Sequence, residues 1–147
     1  MLSEQLVRSL FEALEARRYT QALSYISDAF VNTGSLPLPL NKYQWVANLQ
    51  ALINAMPDLC LGVSDIRGAE NRVQMTFQLR GTHTAQLKFP SPGMPCLPPT
   101  GKKVALPKQR ALVTVKDGLI VALHMERLSN GGIPGVLQQI TARRSAA

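Results

Sequence analysis

A chain of 147 residues is long enough for one domain with a sizeable core and too short for two full domains, so we expect residues 1–147 to form a single domain. Hydrophobic residues make up 46% and charged residues 17%, a balance that excludes a disordered chain. Lys and Arg number 16 against nine Asp and Glu, but they are scattered rather than interleaved with aromatics, so specific nucleic-acid binding is not expected.

Helical periodicity marks the first third of the chain. Apolar residues at spacings of three and four after Ser3 predict an amphipathic helix over 3–18, and a shorter helix is predicted over 20–27. Asn41 is a typical N-cap for a third helix, which ends at Pro57-Asp58. The apolar stripe of this third helix consists of Trp45, Val46, Leu49, Leu52, Ile53 and Met56.

After residue 58 the apolar residues alternate, which is the period of strands. A first alternation covers 59–63, and the clearest one continues from Val73 through Leu79. The proline-rich stretch 89–101 predicts a loop. Residues 103–116 are predicted to be extended, with a bulge or edge at Pro107, and Asp117-Gly118 predicts a hairpin turn.

The chain ends in a predicted short helix over 133–144, with basic residues at its C-terminal end. Three helices, four strands on consecutive hairpins and a last helix together predict an α+β fold, with the helices packed on one face of an antiparallel sheet.

Cys60 and Cys96 lie far apart, without a C-x-x-C pair or clustered histidines. This pattern favours two free thiols over a zinc site or a disulfide, and it suits a reducing compartment. The first 18 residues carry acidic side chains within their apolar pattern, unlike a signal peptide, and no apolar run is long enough to cross a membrane. We therefore expect a soluble cytoplasmic protein without a metal site.

Five ordered segments between Asn54 and Ile140 resemble one known family. They are "NAMPDL", "RGTHTAQL", "LPPTGKKV", "VKDGLIV" and "GGIPGVLQQI". In order and spacing they resemble the SnoaL-like polyketide cyclases, a branch of the nuclear transport factor 2-like superfamily that also contains ketosteroid isomerases.

The resemblance implies a cone-shaped α+β fold. A curved antiparallel sheet of about four to six strands would pack against the three N-terminal helices, with a short C-terminal helix and an apolar pocket between the layers. It also implies a homodimer formed through the outer face of the sheet. In the enzymatic members the chemistry needs no cofactor, because a side-chain acid or base moves a proton next to a carbonyl.

His83 is the first candidate catalytic residue. If the strand from Val73 continues unbroken, His83 shares the inward face, where an imidazole can act as a general base or donate a hydrogen bond to an enolate. A bulge at Gly81 would turn it to the other face, and the ring could instead bond a neighbouring carbonyl or threonine. The family resemblance centres on this histidine and favours the ligand-facing alternative.

His124 and Glu126 are the other acid/base candidates. They lie two residues apart on the last predicted strand and therefore share one face. In a pocket they would form an orienting pair for proton transfer. In the alternative they face solvent, and the core residues of this strand are Leu119, Val121, Leu123 and Met125. Both faces are apolar up to Leu123, so the pattern does not decide.

The candidate ligand-binding residues are Asp65, Trp45, Met75, Phe77 and Tyr25. Asp65 continues the alternation over 59–63, so it is either an inward carboxylate or a solvated one that pairs with an arginine. The aromatic and Met residues suit an apolar ligand, but residues at helical or strand spacing belong to the core by default.

One position departs from the family. The cyclases carry an acid/base aspartate shortly before the last helix, and counting back from Gly135 puts Gly132 there. Two functions therefore stay open. The first is a cofactor-free enzyme that transfers a proton next to a carbonyl in an apolar pocket. The second is a non-catalytic binding module or a protein-interaction dimer on the same fold. The expected ligand is an apolar, carbonyl-bearing small molecule.

Overall fold

The computed structural model describes residues 2–34, 36–90, 94 and 96–142. Parts of the predicted loop 89–101 and the predicted basic end of the last helix, 143–144, lie outside the described residues. The helices are α1 Ser3–Glu15, α2 Tyr19–Ser24, α3 Lys42–Ala55 and α4 Gly132–Thr141. The strands are β1 Ile26–Thr33, β2 Ser64–Ala69, β3 Arg72–Phe77, β4 Arg80–Thr82, β5 Leu87–Lys88, β6 Cys96–Leu97, β7 Lys103–Ala105, β8 Gln109–Lys116 and β9 Leu119–Met125.

The three N-terminal helices form where the apolar periodicity predicts them, although the first two end earlier. α1 stops at Glu15, and Arg17 adopts a left-handed backbone with φ 60° that redirects the chain into α2. α3 begins with a capping box: the Asn41 side chain accepts from the Gln44 backbone N–H, and the Gln44 side chain accepts from the Asn41 N–H, both at 2.9 Å.

β1 was not predicted, and part of it falls in the range predicted as the second helix. Its buried positions, Ile26, Phe30 and Asn32, do not alternate regularly, because the pairing register shifts between Ile26 and Val31. One of the three buried side chains is also polar. Both features remove the period-two apolar pattern by which strands are recognised.

Five strands form the main sheet in the order β1-β9-β8-β3-β2. β2, β3, β8 and β9 pair antiparallel, as predicted, whereas β1 runs parallel to β9 at the edge. The small pairs β4-β7 and β5-β6 lie outside this sheet. The strand predicted from Val73 onward is therefore interrupted: β3 ends at Phe77, and β4 pairs with β7 instead.

Residues that are paired across neighbouring strands have their side chains on the same face of the sheet, and together they form a row. One inner row runs Val73, Val113, Leu123, Asn32, and all four side chains are buried. The matching outer row runs Gln74, Leu112, His124, Thr33. α1 contacts β2, β3 and β9, while α3 contacts β1 and β5, so the helices cover the inner face. This curved sheet with N-terminal helices and a short C-terminal helix confirms the predicted α+β fold.

α4 is joined to the sheet through the buried Gln109 side chain. Its Nε2 donates to the Glu126 carbonyl and its Oε1 accepts from the Gly132 N–H, both at 3.0 Å. A Cβ on Gly131 would lie 2.7 Å from the Gln109 side chain, so a larger residue there would displace the Gln109 amide. Among the helices described, none is long and apolar enough to span a membrane.

Replacing Asn41 by Ala should lower the free energy of unfolding by about 1 kcal/mol, because the Gln44 N–H in the first turn of α3 loses its side-chain acceptor. Urea denaturation followed by circular dichroism measures the change. Gln50→Ala is the matched control, since Gln50 is exposed within the same helix. An equal loss in both variants would contradict the role of the capping box.

Candidate functional site

A small apolar cavity lies between the inner face of the sheet and the helices, with a volume of about 70 Å³. Its walls come from α1, α3, β3, β8, β9 and the start of α4. They include Phe11, Trp45, Leu52, Met75, Phe77 and Leu123. Among the described residues that line it, none has an acidic or basic side chain.

Trp45 on α3 packs against two other aromatic rings at one end of this cavity. Its indole meets the Phe11 ring edge-on, with centroids 6.3 Å apart, and lies tilted against Phe30 at 5.5 Å. Such aromatic pairs contribute about 0.5–1.5 kcal/mol each beyond the area they bury. The three rings therefore hold α3 against α1 and β1.

Asn48 carries the one side-chain amide in the cavity lining that the structure describes. The residue is 2% exposed, and neither its Nδ2 nor its Oδ1 has a hydrogen-bond partner among the described residues. Leaving a buried polar group unpaired costs about 1–3 kcal/mol. The amide is therefore a free donor and acceptor inside an apolar space, which is where a ligand group would be held.

The sequence analysis did not single out Asn48. It lies three residues after Trp45 and four before Leu52, so it interrupts the apolar stripe of α3 with a polar side chain. That interruption was the feature of the sequence that could have marked Asn48 as a site residue. Whether the amide is paired depends on residues from other elements, which helical spacing does not reveal.

Three predicted ligand-binding residues, Trp45, Met75 and Phe77, line the cavity. The other two lie elsewhere. The Tyr25 hydroxyl accepts from Gln21 Nε2 at 3.0 Å on the exposed side of α2, and Asp65 borders a groove on the outer face of the sheet.

His83 is buried, at 1% exposure, but it does not belong to the cavity lining. Its Nδ1 lies 2.9 Å from Thr100 Oγ1, and its backbone N–H donates to the Lys102 carbonyl at 2.9 Å. Nε2 has no partner among the described residues. Burial lowers the pKa of His83, and the nearby Ala85 backbone opposes this only in part. The ring is therefore neutral near pH 7, packed beneath the segment 100–102.

His124 and Glu126 lie on the solvent side at the end of the last strand, as in the solvent-facing alternative. The core of the strand differs from that alternative, because Ile120 is fully buried and Leu119 is exposed. His124 Nδ1 is 2.7 Å from Thr33 Oγ1, and Glu126 Oε2 accepts from Arg110 Nε at 3.1 Å. Both side chains border the outer groove, of about 580 Å³, together with Asp65. The fold thus brings these three candidates to one groove and leaves His83 in the interior.

Gly132 does lie at the cavity, in the place where the family resemblance implies an aspartate. It adopts a left-handed backbone with φ 62°, and its N–H is bound by Gln109. The position is therefore close enough to contact a ligand, but it has no side chain that could exchange a proton. Within the described residues, no group of three or more His, Cys, Asp or Glu is arranged to hold a metal ion. Cys60 and Cys96 are free and exposed.

Residues 7–123 match the model of the SnoaL-like domain family. The chain belongs to the SnoaL-like family. A comparison with curated proteins finds no match.

Solved structures share the fold of this SnoaL-like chain. AclR from Streptomyces galilaeus, provisionally named a hydroxylase, is 19% identical with a TM-score of 0.73, covering 99% of this chain and 84% of AclR. A provisionally named SnoaL-like polyketide cyclase from Jannaschia sp. CCS1 is 19% identical with a TM-score of 0.71, covering 95% and 91%. An NTF2-like protein of unknown function from Cytophaga hutchinsonii is 15% identical with a TM-score of 0.59, covering 88% and 93%. At these identities the likeness shows the fold alone.

The buried neutral His83 should make the protein less stable in mild acid. Its pKa in the folded state is lowered, so below about pH 6.5 the unfolded chain binds more protons than the folded one. The stability that depends on neutral His83 is present above that pH and is lost as pH falls. We expect the free energy of unfolding to drop by up to about 1 kcal/mol between pH 6.5 and 5.5.

Denaturant titrations at several pH values from 7.5 to 5.5 measure this drop. The variant His83→Gln should abolish it, whereas His124→Gln, at an exposed histidine, should retain it. A dependence of the free energy of unfolding on pH that His83→Gln leaves unchanged would contradict this account of His83. So would a parent protein whose free energy of unfolding does not change over this pH range.

Proposed function

We propose that this SnoaL-like protein is a binding module that holds a small, apolar, carbonyl-bearing molecule in the cavity, with the Asn48 amide as the polar anchor. The observation that carries the proposal is the unpaired, buried amide in an otherwise apolar lining. Ligand sites typically combine apolar walls with a few polar groups that orient the ligand.

The size of the cavity restricts the ligand. A volume of about 70 Å³ is well below the roughly 300–1,000 Å³ of sites for drug-sized molecules. Apolar cavities of about 150 Å³ accept benzene. The cavity therefore suits a molecule, or a part of a molecule, no larger than a single ring, admitted by small movements of flexible side chains such as Met75.

Binding is favoured over proton transfer by the distribution of titratable groups. A general base must come within hydrogen-bond reach of the proton that it removes. The described cavity lining has no such group, and His83, His124 and Glu126 lie away from it. Acid/base catalysis by these residues would need a second arrangement of the chain.

A saturable change in the fluorescence of Trp45, the sole tryptophan, should follow the addition of cyclopentanone, because Trp45 lines the cavity. Ala111→Leu, which extends a lining side chain into the cavity, should weaken binding at least about tenfold. Ala29→Leu is the control, since it makes the same change at an exposed position. Circular dichroism verifies that each variant is folded. Equal affinity in both variants, or no saturable response of the parent protein to either cyclopentanone or its lactam analogue 2-pyrrolidinone, would contradict the proposal.

We also propose that the protein self-associates through the outer face of the sheet. This face carries Leu112 and Ala122, both half-buried, and Val31, which is 42% exposed. Exposed apolar side chains grouped on one face of a sheet can mark a contact between subunits. The family resemblance points to the same face.

Leu112→Glu should convert a dimer to a monomer, because it would place a carboxylate in the middle of the proposed contact. Light scattering coupled to size-exclusion chromatography measures the mass. Gln50→Glu adds the same charge on α3, away from the sheet, and should leave the mass unchanged. A parent protein that is monomeric at high concentration would exclude the dimer.

A further inference from the structure

We infer that the ligand of the cavity is neutral and carries a hydrogen-bond donor and an acceptor side by side in one plane, as in a lactam or a carboxamide. The inference rests on the proposed binding function and goes further, because it names the chemical class that Asn48 selects. An asparagine amide presents Nδ2 as a donor and Oδ1 as an acceptor in one planar group.

Both side-chain polar atoms of Asn48 on α3 are unpaired, whereas Asn32, the buried asparagine on the inner face of the sheet, has an unpaired Oδ1 but a paired Nδ2. Asn32 donates from Nδ2 to the Leu123 carbonyl at 3.0 Å, and its backbone exchanges hydrogen bonds with Leu40. Asn32 therefore has a structural role as a link between strands. Asn48 has no side-chain partner among the described residues on either atom.

A ketone would satisfy only half of this amide. It accepts a hydrogen bond from Nδ2 but leaves Oδ1 buried without a donor, so part of the cost of the empty site remains. A lactam presents an N–H and a C=O on the same edge, so it can pair with both atoms through two parallel hydrogen bonds. The geometry of a single amide facing an apolar space thus favours a ligand with a cis amide.

Water and charged molecules fit this site less well. A buried water needs two to four polar partners, and the described lining offers it one amide. A carboxylate or an amine would be desolvated without a charged partner, since no acidic or basic side chain occurs in the described lining. The remaining class is a small neutral molecule with an apolar ring and one donor–acceptor edge.

The test compares 2-pyrrolidinone with cyclopentanone, two rings of equal size that differ by one N–H in place of a CH₂. The two probes differ in hydration, so the informative quantity is the ratio of their affinities in each protein, measured by Trp45 fluorescence. In Asn48→Leu, the affinity for 2-pyrrolidinone relative to that for cyclopentanone should be about tenfold lower than in the parent protein. Asn54→Leu, at an exposed position on the same helix, should leave it unchanged.

A second measurement does not depend on ligand. Because Leu removes an unpaired buried amide at similar volume, Asn48→Leu without ligand should melt about 4 °C higher than the parent protein. If Asn48→Leu does not fold, Asn48→Ala provides the same affinity ratio. A ratio unchanged by either variant, with both probes still binding, would overturn the lactam inference and leave the binding function intact. If neither probe binds the parent protein, the lactam inference and the proposed binding function are both contradicted.

Discussion

The packing of Trp45 against Phe11 and Phe30 is the contact on which the interior of this protein depends. It joins α3 to α1 and to the edge strand β1, three elements of the N-terminal third of the chain. Protein interiors are normally filled to crystal-like density, so a cavity persists only where rigid neighbours prevent collapse. The three rings form such a support. Asn48 follows Trp45 by about one helical turn and so lies on the same face, beside the space that the rings hold open.

The second constraint is the alternation of side chains across the sheet. Each strand sends successive residues to opposite faces, so the inner rows are apolar apart from Asn32 and Gln109. The outer rows contain Gln74, His124 and Arg110. The groups able to exchange protons are thereby separated from the cavity. His83 is the exception, since it is buried, yet its hydrogen bonds connect the end of β4 to the segment 100–102 and do not reach the cavity. Under the proposed function, the cavity therefore binds the polar group of its ligand through a neutral amide rather than through a titrating side chain.

Much of the fold was predictable, because its signals are local. The capping box of α3, the hairpin at Asp117-Gly118 and the alternation in β3 depend on residues close in sequence. β1 was missed because a register shift and the polar Asn32 remove its period. The sequence did not decide the face of His124, because both faces of the strand are apolar up to Leu123. A register shift at Thr114/Val115 also changes the pairing with β9, and no alternation pattern reports where such a shift falls. The unpaired state of Asn48 depends on contacts among four or more elements, so it required the structure.

Under the proposed function, the position of the polar Asn48 side chain in the cavity lining explains how this chain keeps the family fold and differs in chemistry. The family resemblance implies an aspartate before the last helix, where Gly132 stands here with its N–H bound by Gln109. A carboxylate there would face the cavity and could accept a proton. In this chain the cavity's polar side chain is instead on α3, at Asn48, and an amide forms hydrogen bonds without gaining or losing a proton. Under the proposed function, moving one polar group from the loop to the helix, and making it neutral, changes a site for proton transfer into a site for recognition.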